Sequence, residues 1–137
     1  MGIGTILIWM CTFSFAADLP QSIAVWDTLT TISPASTKAT PKIKGLLAKP
    51  IEVAGFTVVN EMDSNEVSEF LLTQYPGSCI HVPPPPPNHM IHVVMQKGKT
   101  TPNFYDKRVV VHGVLQMGTR IDSSYEMIAD DVKLLPL

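Results

Sequence analysis

Charged side chains are sparse in this sequence. Asp, Glu, Lys and Arg make up 16% of 137 residues, the formal net charge is -2, and no basic run occurs. A nucleic-acid binder needs a concentrated positive footprint, so DNA and RNA are excluded as main partners. Cysteine is scarcer still, with two in the chain, which excludes a disulfide framework and a four-cysteine zinc site. Cys-x-x-Cys, a Gly-rich phosphate loop, a Gly-x-Ser-x-Gly elbow and His-Glu-x-x-His are all missing. Disulfide exchange, nucleotide chemistry, serine hydrolysis and zinc proteolysis are therefore not expected. No stretch of ten or more residues has convincing helical amphipathicity, and no repeat is present. What remains is a composition 45% hydrophobic, enough for one compact domain and too short for two.

The most apolar stretch, Ile6 to Ala16, is 11 residues long, short of the roughly 20 that span a bilayer as a helix. It fits the apolar core of a secretory signal, with Ser14 and Ala16 as the small residues before a cut at Ala17, and Asp18 and Pro20 after it. Residues 1–17 are read as a signal peptide and the protein as periplasmic or secreted. No Lys or Arg precedes the apolar core, so retention as an N-terminal membrane anchor is the alternative. Ile8, Trp9 and Met10 are too bulky for a lipoprotein processing site at Cys11, which leaves Cys79 as the cysteine of the mature chain. A lone thiol in an oxidising compartment is buried, paired with another molecule or bound to a ligand.

Residues 18–45 read as an extended N-terminal linker, because Thr28 to Lys42 (TLTTISPASTKATPK) offers almost nothing to bury. Trp26 and Leu29, just at its start, either dock on the domain or belong to a disordered tail. The domain itself is placed at 46–137, where short Val- and Ile-rich runs alternate with Gly, Asp, Asn and Pro. Five strands are expected: Pro50 to Val59, Glu66 to Tyr75, Met90 to Gln96, Lys107 to Met117 and Tyr125 to Leu135. Gly55 and Gly113 interrupt two of them and suit bulges or sharp coiling. An all-β fold follows, a small five-stranded Greek-key barrel of OB-fold type, with an open sandwich as the second choice.

The one place where chemistry gathers is Tyr75 to Val94 (YPGSCIHVPPPPPNHMIHVV). In an extended segment Cys79 and His81 share a face. If Pro83 to Pro87 returns the chain antiparallel, His92 falls opposite Cys79 or His81, with Ile91, Val93 and Met95 toward the core. One soft thiolate and two imidazoles suit zinc or copper, with one position left for water, a partner's side chain or a transferred ligand. The competing reading makes Cys79 a small buried hydrophobe and the histidines surface polar groups. Pro83, Pro84, Pro85, Pro86 and Pro87 form a stiff polyproline rod that either frames the site with Asn88 or offers a contact to another protein. No acid is evident to orient a Cys79–histidine pair as nucleophile and base, so an enzyme is not expected. His112 reads as a strand-face residue, and Asp130-Asp131 with Glu126 as a solvated acidic strand end.

Gly77-Ser78-Cys79-Ile80-His81-Val82 followed by five prolines and Asn88, with His92 beyond, resembles the central signature of the DUF3299 family. Lys49-Pro50, Gly55-Phe56, Glu69-Phe70-Leu71-Leu72 and Val111-x-Gly113 resemble it too, and Trp26-Asp27-x-Leu29 is similar to a motif found ahead of the family's domain. The chain departs from the family pattern in having no good lipobox at Cys11 and Val59-Asn60 where a proline-containing turn belongs. The resemblance implies an exported bacterial protein or lipoprotein of unassigned function, often encoded near ABC-type export permeases and zinc-related periplasmic proteins. From residues and resemblance together, the expected function is a metal-binding accessory protein of an envelope ABC transporter or other metal-handling protein, with Cys79, His81 and His92 as ligands. A non-catalytic interaction module that uses the proline loop is the alternative, and no transmembrane span is expected in the mature form.

Overall fold

The computed structural model describes residues 19–59, 63–76 and 83–136. The signal-peptide reading of residues 1–17, and Cys79 and His81, lie outside the described residues. Within them the Val- and Ile-rich runs form β1 (Pro50–Val58), β2 (Glu66–Val67), β3 (Glu69–Thr73), β4 (Met90–Met95), β5 (Thr101–Pro102), β6 (Arg108–Met117) and β7 (Tyr125–Leu134). Five of them close a barrel in the order β1-β3-β4-β7-β6, with β6 returning to β1. The β4–β7 pair is parallel and every other barrel pair is antiparallel. Parallel neighbours cannot be joined by a tight turn, so the chain makes β6 before it returns to lay β7 beside β4. That is the Greek-key barrel read from the strand pattern, and closure replaces the open sandwich. The second expected strand is divided at Ser68. Its first part pairs with β5 in a separate ribbon, Glu66 opposite Pro102 and Val67 opposite Thr101.

Alternation fills the interior in rows that run across strands. Phe70, Val93, Met127 and Leu115 are register partners on β3, β4, β7 and β6, all buried. Leu72, Ile91 and Tyr125 make the neighbouring row. Gly113 sits at the bulge where the β6–β7 register shifts, and a Cβ there would strike the Ile128 carbonyl and the Ala129 backbone. The bulge expected at this glycine is therefore where two main chains approach closely.

The N-terminal segment departs from expectation, because α1 (Leu19–Leu29) is a helix of 11 residues. Its visible anchors, Trp26 and Leu29, form one pair rather than a repeating stripe, so tertiary packing rather than periodicity makes the helix. Of the two readings, docking holds: Trp26 is 2% exposed and Leu29 fully buried. Trp26 Nε1 donates to the Ala54 carbonyl at 2.7 Å, and Tyr125 Oη donates to that of Leu29 at 2.6 Å. Burial pushes the Tyr125 phenol above its ordinary range, which keeps it a donor. Ile32 is buried as well, and Ile43 of α2 (Pro41–Lys44), a short helix capped by Thr40, is fully covered. The stretch between Thr28 and Lys42 thus carries core residues and does more than connect.

Candidate functional site

β4 lies between β3 and β7, and its period of two sends Ile91 and Val93 inward and His92 to the outer surface. Across the sheet His92 is the register partner of Leu71 on one side and Glu126 on the other, and Glu126 is the partner of Gln116. Glu69, two residues from Leu71 on the same face, reaches His92 diagonally. The result is a polar ladder over four strands. Gln116 Nε2 donates to Glu126 Oε1 at 2.6 Å, Glu126 Oε2 lies 3.6 Å from His92 Nδ1, and Glu69 Oε2 lies 3.2 Å from His92 Nε2.

Although it points outward, the His92 side chain is 9% exposed, against 29% for Glu126 and 63% for Glu69. Its Nδ1 is fully buried without a hydrogen bond, since 3.6 Å is too long for one. A cavity of about 330 Å³ opens beside the ring. Val58, Val67, Phe70 and Leu71 supply its apolar wall, and Glu66, Glu69, His92 and Arg120 its polar rim, whereas Glu126 is not part of the lining. Arg120 makes a forked pair with Asp122, Nε to Oδ1 at 2.8 Å and Nη2 to Oδ2 at 2.9 Å. This holds the Asp122 carboxyl below, and the Arg120 guanidinium above, their ordinary values.

A second polar group lies on β6 and β7. The bulge adds Asp130 beside the His112–Asp131 pair, and His112 Nδ1 lies 2.5 Å from Asp130 Oδ1. The His112 contact pulls the Asp130 carboxyl below its ordinary value. Asp131 pairs with Lys133 at 3.5 Å. The acidic strand end is therefore paired rather than simply solvated.

Of the expected site residues, His92, Pro83 to Pro87 and Asn88 fall on described positions. The antiparallel neighbour of β4 is β3, with Leu71 opposite His92, and the segment that carries Cys79 and His81 lies outside the described residues. A strand has two hydrogen-bonding edges, and at His92 they are taken by β3 and β7. Pro83 to Pro86 have no regular secondary structure, and Pro83, Pro84 and Pro86 are exposed. Pro87 instead begins a 3-10 turn, Pro87–His89. Asn88 is buried and donates from Nδ2 to the carbonyls of Thr30, at 3.2 Å, and Ile32, at 3.0 Å, which ties the proline segment to the N-terminal strap. The sequence reading left Glu69 out of the site and grouped Glu126 with Asp130-Asp131, since each looks like an outward carboxylate on its own strand and only the cross-strand register joins them to His92. Among the described residues no group of three His, Cys, Asp or Glu side chains converges as a metal site, and no helix is long and apolar enough to cross a membrane.

Residues 20–134 match a family model described as a protein of unknown function, DUF3299. The crystal structure of a DUF3299 family protein from Pseudomonas aeruginosa PAO1 is similar, with a TM-score of 0.54 and 28% identity over 83% of this chain and 81% of that one. The OBody AM3L09, solved bound to hen egg-white lysozyme, aligns with a TM-score of 0.41 and 18% identity over 66% of this chain and 85% of that one. No curated protein matches.

Proposed function

The chain belongs to the DUF3299 family, and we propose for it the role of a periplasmic or secreted accessory protein that binds a soft transition metal, zinc or copper, and serves an envelope ABC-type transport system. One observation carries this reading: a nine-tenths buried imidazole, His92, meets carboxylates at both ring nitrogens at the rim of an open cavity. Cys79 and His81 supply further soft donors close in sequence. One thiolate and two imidazoles leave a position for an incoming donor, which suits transfer to or from a transporter.

The test is the metal content of the purified protein beside Cys79→Ser and His81→Ala. Stoichiometric zinc or copper in the wild type and its loss in both variants is expected, and equal content in all three sinks the reading. A second reading, a non-catalytic interaction module, is favoured by the exposure of Pro83, Pro84 and Pro86 on an otherwise anchored segment. It predicts that a partner from an envelope complex is lost when these three prolines become serine and kept in Cys79→Ser.

A further inference from the structure

We propose that the cavity beside His92, together with Ile121 in the β6–β7 loop, is a docking surface for a protein segment that carries a basic side chain. The aliphatic stem of a lysine or arginine lies in the cavity, its cation meets Glu66 and Glu69, and an apolar neighbour covers Ile121. This surface is separate from the exposed prolines and stands whether or not a metal binds.

The cavity has the two-part chemistry that such a side chain needs. Its wall is apolar, formed by Val58, Val67, Phe70 and Leu71, and two exposed carboxylates, Glu66 and Glu69, stand at its rim. Long basic side chains bury their stem on apolar surface and keep the charged head at a polar edge. At about 330 Å³ the cavity is at the small end of the roughly 300–1,000 Å³ of ligand pockets, which suits one long side chain. The rim is not neutralised from within. His92 Nε2 occupies only Oε2 of Glu69, and among the described residues Glu66 has no ion-pair partner. Arg120, the cation of the lining, is forked to Asp122. The mouth therefore keeps an excess of negative charge.

Ile121 widens the surface beyond the cavity. A single exposed apolar side chain is ordinary, but Ile121 is 96% exposed and follows directly on Arg120, which lines the cavity. Its loop is held on both sides. Gly118 N donates to the Ser124 carbonyl at 2.8 Å, Ser124 N to that of Pro87 at 2.9 Å, and the Arg120–Asp122 fork brackets Ile121 itself. A tip fixed before contact loses little freedom on binding. A contact reaching from the cavity to this tip calls for a segment of protein and not for a small amine.

Charge selects among partners. A second copy of this chain, with its net charge of -2, docked by a two-fold axis here would bring two acidic rims together. Anionic lipid and nucleic acid meet the same repulsion. A basic segment flanked by apolar residues is the complement.

The probe is a blocked tripeptide, Val-Lys-Val, titrated into the isotope-labelled, metal-free full chain and followed by backbone amide shifts, beside the same peptide with norleucine in place of lysine. Saturable shifts are expected at residues 66–71 and around Ile121, with the norleucine peptide bound about tenfold more weakly because its contacts to the carboxylates are lost. Glu66→Gln with Glu69→Gln should lower the affinity for the lysine peptide to that for norleucine. Ile121→Ser should weaken binding several-fold and leave the melting temperature unchanged, since the side chain is already in solvent. Equal binding of the two peptides, or no shift at these positions, overturns the proposal. A dimer in sedimentation that Ile121→Ser abolishes would give the surface to a second copy and overturn it as well.

Discussion

Among the described residues His92 and His112 have carboxylates beside their rings, and at the Asp130–His112 pair the contact shifts the carboxyl. The His112 contact holds the Asp130 carboxyl below its ordinary 3.8 in the folded chain. In the unfolded chain that carboxyl returns to the ordinary value, so on acidification the unfolded state takes up the proton first. The pair's contribution to stability is therefore complete above pH 3.8 and is lost as pH falls through the depressed folded value. Both side chains are more than a third solvated or nearly so, 39% and 34% exposed, and solvent keeps the contribution modest. The melting temperature of the wild type should fall more steeply across this acid window than that of Asp130→Asn. Parallel curves for the two proteins would mean that the short contact carries no coupling in solution.

At the scale of elements, the N-terminal strap is held by directional bonds as much as by apolar packing. Trp26→Phe keeps most of the buried ring and leaves the Ala54 carbonyl without its donor, and Tyr125→Phe does the same to the Leu29 carbonyl. Each should cost about 1–3 kcal/mol in urea unfolding. Because both bonds hold the same helix, the double variant should cost less than the two added together. Losses under about 0.5 kcal/mol for each would show that α1 rests on the barrel without holding it. The strap also marks what the sequence could and could not reveal. All five barrel strands were legible, since Val, Ile and Phe at period two announce a half-buried surface and Gly, Asp, Asn or Pro separates the runs. α1 was not, because its burial depends on partners at Ala54 and Tyr125 far along the chain. The site divides in the same way. His92 could be singled out from composition alone, but Glu69 and Glu126 join it only through pairing with β3 on one side and β7 on the other, and no local pattern encodes which strands become neighbours.

For the molecule as a whole, the strap and the barrel share one core: Trp26, Leu29, Ile32 and Ile43 belong to the same buried cluster as Val53, Leu72, Ile91 and Met127. Bonds from Trp26, Asn88 and Tyr125 cross between the two parts at three separate points in the chain. A small domain knitted in this way should unfold in a single step. The sequence offers a clean probe, since it has two tryptophans, Trp9 and Trp26. In a Trp9→Phe background, fluorescence reports Trp26 leaving its place against β1, while far-ultraviolet circular dichroism reports loss of the strands. The two transitions should coincide in midpoint and slope across a urea series, since the docking site for Trp26 is built by the strands themselves. A fluorescence transition at clearly lower urea would mean that α1 lifts off an intact barrel, which would make the strap a separable cover rather than part of the fold. Coincidence would also bind the outer ladder to the N-terminal segment. Tyr125, which bonds Leu29, immediately precedes Glu126, which faces His92, so strap and ladder would then stand or melt as one unit.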